Sequence, residues 1–184
     1  MVVYTGGLLA WKGVELLVDA ARELPGLSFV IAGGMDADVA RLREHAAGLD
    51  NVRLDGFQPP TRIATYLAAA DLGVIPNRSE PAISARYTSP LKAFEAMAAG
   101  VPLVVSDLPS LRELFTDGDD ARLFSPDDAG ALAAAIGEVM GDDDLRRGLG
   151  ERLAARAPEH SWDARAERLL AWMDACEAGA EVAA

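Results

Sequence analysis

The feature that most constrains this chain is a regular alternation of short, continuously apolar runs with longer stretches of helical period. The apolar runs at Met1–Tyr4, Leu27–Ala32, Val52–Leu54, Leu72–Ile75, Leu103–Ser106 and Arg122–Phe124 read as strands. Between them, Lys12–Leu24 sets Val14, Leu17, Val18 and Ala21 on one helical face and is stopped by Pro25-Gly26. Helices are likewise expected at Asp36–Gly48, Pro60–Ala70 and Ser89–Ala99, the last capped by Ser89 with Pro90 in its first turn and ended by Gly100. Asn77–Thr88 is polar and without period, and reads as a loop. Three successive helices, Asp127–Met140, Asp143–Ala157 and Trp162–Cys176, close the pattern. Strands apolar along their whole length and separated by helices imply βαβ units whose sheet is covered on both faces. The expected fold is therefore α/β, a doubly wound parallel sheet of the Rossmann-like kind. Ligands of such sheets bind beyond the carboxyl ends of the strands, where the strand order reverses. The loops after Tyr4, Ala32, Leu54, Ile75 and Ser106 are the places to search.

Composition narrows the function. The length of 184 residues suits one domain, and a 51% hydrophobic content with mean hydropathy of +0.11 suffices for a buried core. The expected domain is 1–177, with a disordered tail at 178–184. Seventeen basic against twenty-nine acidic residues leave a net charge of −12, which repels nucleic acid and anionic lipid. A local anion site is still permitted, because backbone amides can overrule the global sign. The single cysteine, Cys176, excludes an intramolecular disulfide framework and a cysteine-based zinc cluster. Charged residues interrupt every candidate membrane span, and no secretory leader is expected at the start. A soluble, cytoplasmic domain is the resulting expectation.

Two stretches carry chemistry. Gly6-Gly7 follows the first strand and permits close approach of backbone to ligand, while Lys12 supplies a point charge. This is neither a P-loop nor a Gly-x-Gly-x-x-Gly fingerprint, so a dinucleotide cofactor is not supported. The second stretch is Ser89-Pro90-Leu91-Lys92-Ala93-Phe94-Glu95. A helix starting at Ser89 turns free amides toward the end of the sheet, an anion site by construction. Lys92 can reach a phosphate and Glu95 can accept from ribose hydroxyls. On helix physics alone, the competing reading is an ordinary solvated Lys–Glu pair.

The ordered set Gly6-Gly7…Lys12-Gly13, Ala32-Gly33-Gly34, Val52-x-Leu-x-Gly56, Ala70–Pro76, Phe94–Pro102, Ser106-Asp107 and Glu113 resembles a known family. It is similar to the C-terminal, donor-binding half of GT-B glycosyltransferases of family 4, over nearly the whole chain. The resemblance implies that Lys12 contacts the diphosphate of an NDP-sugar donor and that the amides around Thr88, Ser89, Pro90, Leu91 and Lys92 cradle it. It implies that Glu95 binds ribose, and that Gly33, Gly34 and Phe57 border the nucleobase. No metal or other cofactor is expected, since fixed dipoles and lysine stabilise the diphosphate of the leaving nucleotide. The acceptor and its base would come from an N-terminal domain, so the isolated chain is expected to transfer no sugar. The alternative is a non-catalytic nucleotide-sugar-binding subunit of a two-chain transferase.

The chain also departs from the family pattern. Tyr87 stands where the first glutamate of the Glu-x7-Glu motif is expected, with Glu80 nearby, and Gly7 stands where a basic residue is usual. His45 and His160 read as surface residues without general-base partners. The Asp117–Asp120 and Asp142–Asp144 runs read as turn and helix-start carboxylates. Trp162 and Trp172 are expected to pack against the domain, while the resemblance implies that the outer face of this last helix can be an exposed docking surface.

Overall fold

A computed structural model describes residues 1–177; the tail expected at 178–184 lies outside the described residues. Six strands form one sheet: β1 (Val2–Thr5), β2 (Phe29–Ala32), β3 (Val52–Gly56), β4 (Leu72–Ile75), β5 (Leu103–Ser106) and β6 (Arg122–Phe124). Their order is β3-β2-β1-β4-β5-β6, and every neighbouring pair is parallel. This is the doubly wound arrangement that the sequence pattern implied. Its strand order reverses between β1 and β4, opening a crevice at their carboxyl ends.

Alternation along each strand divides the core in two. Val2 and Tyr4 of β1, Phe29 and Ile31 of β2, and Leu72 and Val74 of β4 face α1 (Val14–Glu23), α2 (Asp36–His45) and α7 (Ala129–Gly141). Leu103 and Val105 of β5 and Leu123 of β6 face the other layer. That layer is built from α3 (Pro60–Ala68), α5 (Leu91–Ala99), α6 (Pro109–Arg112) and α8 (Asp143–Arg156).

The helix expected from Lys12 begins instead at Val14, because Ala10–Lys12 forms a separate 3-10 turn ended by Gly13 in the left-handed region. The stretch read as a loop, 77–88, contains the short helix α4 (Ala82–Arg86), too brief to show a period. Ser89 is not the cap of α5. Extended Pro90 takes that position, and no side chain caps the first turn. Gly100 ends α5 in the left-handed region, as the sequence suggested. Asp142 caps α8 by accepting from the Asp144 and Leu145 amides. Asp117 and Asp120 sit in a turn, where they bond the Leu123 and Thr116 amides and pair with Arg122 and Arg156.

The terminal helix α9 (Trp162–Glu177) overturns the expected packing of its tryptophans. It buries no residue, and Trp162 and Trp172 are 77% and 51% exposed. Its main contact with the body, among the described residues, is the 157–160 turn. Among the described residues, no helix is long and apolar enough to cross a membrane.

Candidate functional site

The carboxyl edge of the sheet gathers most of the residues singled out by sequence. Gly6 and Gly7 after β1, Gly33 and Gly34 after β2, and Phe57 after β3 line one cavity of about 320 Å³. Leu8, Leu9, Met35, Asp38, Gln58 and Ile63 complete a mostly apolar wall. Two backbone bonds fix these loops to each other: Gly6 N–H donates to Ala32 O at 2.9 Å, and Gly33 N–H donates to Gly56 O at 2.6 Å. Gly33 has φ +137°, and a Cβ there would lie 2.0 Å from Gly6 O, so only glycine fits. Phe57 is 70% exposed and offers an aromatic face at the mouth. The Gln58 amide donates to Asp55 O, while its oxygen is buried without a partner.

The chain contains only two lysines, Lys12 and Lys92, and both lie beside this loop. Lys12 rests over the Trp11 ring, 4.0 Å from its centroid, and burial lowers its pKa. Lys92 projects from the first turn of α5 beneath the Gly6 loop. A Cβ on Gly6 would lie 3.0 Å from its Nζ. That nitrogen is closed to solvent, has no hydrogen-bond partner, and sits 3.6 Å from the centroid of the Tyr4 ring. Its pKa falls well below the usual lysine range, chiefly through burial and secondarily through the charge of Lys12; Glu95 opposes both. The ordinary solvated Lys–Glu pair is thereby excluded. Local helix spacing cannot reveal this, since the burial is imposed by β1 and its loop.

Tyr4 was not anticipated. Its hydroxyl donates to Gly7 O at 2.7 Å, so one side chain supports both the glycine loop and the lysine. The only sequence signal was an aromatic residue two positions before Gly6-Gly7. Sequence reasoning also missed the tie between this loop and the segment after β4. Trp11 O accepts from Arg78 N–H at 2.9 Å and from the buried Ser84 hydroxyl at 3.2 Å. Asn77 and Ser106, at the ends of adjacent strands β4 and β5, are buried with unpartnered side-chain atoms.

Glu95, Ser89 and Leu91 are separated from that cavity. They line a groove of about 660 Å³ between α5 and α9, with Phe94, His160, Trp162, Arg165 and Arg168. The Glu95 carboxylate is exposed, yet close enough to Lys92 to affect its charge. Thr88 is half-buried, and its hydroxyl donates to Ile83 O at 2.6 Å, steadying the approach to α5. Pro90 is buried and has no N–H, so the backbone donors at this helix start belong to Leu91 and Lys92. Neither histidine is a simple surface residue. His45 contacts Asp19 at 2.8 Å, and half-buried His160 lies against Phe94. Among the described residues, no cluster of three or more His, Cys, Asp or Glu forms a metal-binding set.

Residues 1–142 match the family described as "Glycosyl transferases group 1". The chain belongs to this family. A D-inositol 3-phosphate glycosyltransferase of Nocardia farcinica is 33% identical over 92% of the chain and 39% of its own length. This chain thus spans about two fifths of that relative. Among solved structures, sucrose-phosphate synthase of Thermosynechococcus elongatus superposes with a TM-score of 0.81 at 29% identity, over 97% of this chain and 46% of that one. The Anabaena protein HepE in complex with UDP and glucose gives 0.78 at 23%, covering 94% and 47%. The C-terminal domain of the group 1 family protein LpcC of Francisella tularensis gives 0.73 at 20%, covering 88% and 86%. The fold is thus common to the chain and these proteins.

Proposed function

We propose that this chain is the donor-binding half of a glycosyltransferase, holding an NDP-sugar at the crevice between β1 and β4. The observation that carries the reading is the pairing of its only two lysines, without counter-ions among the described residues, beside the Gly6-Gly7 loop. Two amines beside a glycine loop, one of them at the start of α5, are suited to a diphosphate. The adjacent apolar cavity, with Phe57 at its mouth, suits a nucleobase. A complex of the structurally similar HepE with UDP-glucose, and a relative described as a D-inositol 3-phosphate glycosyltransferase, support the assignment.

In this reading, Lys12, Lys92 and the amides of Leu91 and Lys92 meet the charge that develops on the departing nucleoside diphosphate. Stabilisation of this kind is strongest where donors are fixed and water is excluded. Side-chain cations and backbone dipoles, rather than a metal, are proposed to carry that charge. Glu95 accepts hydroxyls of the ribose from the outer flank of α5. Gly33, Gly34 and Phe57 hold the base. The acceptor and the group that activates it belong to a second domain, supplied in cis or in trans. The relative more than twice as long, and the match to a separately studied C-terminal domain, support this division.

Calorimetric titration with UDP, GDP and ADP tests the proposal. Binding of at least one nucleotide, lost in Lys12→Ala and weakened in Glu95→Ala with folding intact, is the expected result. No binding of any of them at millimolar concentration overturns it. Sugar transfer by the isolated chain at a useful rate overturns the division between two domains.

A further inference from the structure

We propose that binding of a sugar nucleotide in this crevice is coupled to the uptake of one proton from solvent, received by the Lys92 amine on the face of Tyr4. The inference rests on the donor-site reading above. It begins with how the chain distributes cations. Fifteen of its seventeen basic residues are arginines, whose charge is permanent, and the two lysines are both in this site. An ammonium carries three donors and needs acceptors. The Lys92 nitrogen has none: it is shut from solvent between the Tyr4 ring and the Gly6 backbone.

The charged and titratable groups around it are few. Lys12, on the turn after the glycine loop, disfavours a second positive charge. Glu95, one turn further along α5, favours it but is exposed to solvent and cannot offset burial. Tyr4 of β1 faces Lys92 with its ring. Burial, with a contribution from Glu15 of α1, holds the Tyr4 phenol above its ordinary range, so it stays protonated and is no source of the proton. The free site therefore disfavours the charged form of the Lys92 amine, which is buried without an acceptor.

A diphosphate reverses the balance. It brings negative charge and acceptor oxygens to the Gly6 loop, and both favour the charged form of a buried lysine. The amine nitrogen takes a proton from water or buffer, no covalent bond of the ligand is broken, and the π face of Tyr4 supports the resulting cation.

The presence of only two lysines makes this directly measurable. In the chain labelled with ¹³C at lysine Cε, two signals are expected, and Lys92→Met identifies the Lys92 signal by its loss. Should that variant not fold, Lys12→Met makes the same assignment by elimination. The free chain at pH 8 is expected to show Lys92 at the neutral-amine position. Saturation with UDP-glucose, GDP-mannose or ADP-glucose is expected to move it to the charged position. These probes are diphosphate diesters and do not themselves titrate near that pH. Calorimetry of the same titration in HEPES and Tris is then expected to report close to one proton taken up per ligand bound. A Lys92 signal already at the charged position without ligand overturns the proposal. So does binding with no dependence on buffer. A neutral Lys92 with no response to any of the three probes overturns the donor-site reading instead.

Discussion

The close packing of the β2 loop against the glycine loop yields a sharp expectation for Gly33→Ala. With φ at +137°, Gly33 lies where L side chains are strained, at a cost of about 1–3 kcal/mol. Its new Cβ would sit 2.0 Å from Gly6 O, against roughly 3.5 Å for a comfortable contact between non-bonded atoms. Relieving that overlap requires backbone to move, which adds about 1–3 kcal/mol. The sum, roughly 2–6 kcal/mol, lowers the thermal midpoint by the order of 10 °C in a chain of this size. Gly7→Ala is the internal control. No atom lies within 4 Å of its added Cβ, and Gly7 is not in the left-handed region, so stability should stay within about 1 kcal/mol of the parent. Differential scanning calorimetry of both variants, followed by nucleotide titration, separates the two effects. Gly33→Ala should lose stability and binding together, because the carbonyl it displaces belongs to the loop over Lys92. Equal midpoints for the two variants would refute the steric argument.

Other expectations concern charge. Lys92→Met keeps the length of the stem while removing a buried, unpartnered amine, and should raise the stability of the free chain by about 1–3 kcal/mol while abolishing nucleotide binding. Thermal melting and calorimetry measure the two outcomes. Because the folded-state pKa of both lysines is lowered, the unfolded chain binds more protons between those values and the ordinary lysine value. Stability of the free chain should therefore rise with pH through that window, and the rise should be flattened in a Lys12→Met, Lys92→Met double variant. At the acid end, burial raises the pKa of Asp55, but hydrogen bonds from Arg53 and Tyr66 outweigh it and leave the value lowered. Its contribution is present above the unfolded aspartate value and is lost as pH falls through the folded one, a loss that Asp55→Asn should remove from an acid titration. Asp120→Ala leaves the Arg156 guanidinium without its buried partner and the Thr116 amide without its acceptor, and should cost about 3 kcal/mol in urea unfolding.

The fold was legible because apolar runs and helical periods are local signals that tertiary packing did not override. Leu72–Ile75 and Leu103–Ser106 appear as strands at the residues expected. Elements of four or five residues, such as α4 and α6, span too little chain to show a period. The start of α5 was misplaced by one feature: a serine before a proline resembles a cap, but extended Pro90 occupies that position. The glycines of the site were legible from their place after strands. Burial of Lys92 was not, because it is imposed by Tyr4, some ninety positions away in sequence, and nothing on α5 itself encodes it. Exposure of Trp162 and Trp172 was hidden from helical spacing, which specifies which residues share a face and not whether anything covers it; only the family resemblance raised it.

The central claim is that the crevice between β1 and β4 holds a sugar nucleotide. Mapping backbone amide shifts of the labelled chain during titration with UDP-glucose, GDP-mannose and ADP-glucose tests it most directly. The account predicts saturable changes at Gly6, Gly7, Gly33, Gly34, Leu91 and Lys92 for at least one of them. It would be contradicted by an unchanged spectrum with all three ligands. Saturable changes confined to the far cleft between Gly100, Pro102, Arg146 and Glu151 would contradict it equally.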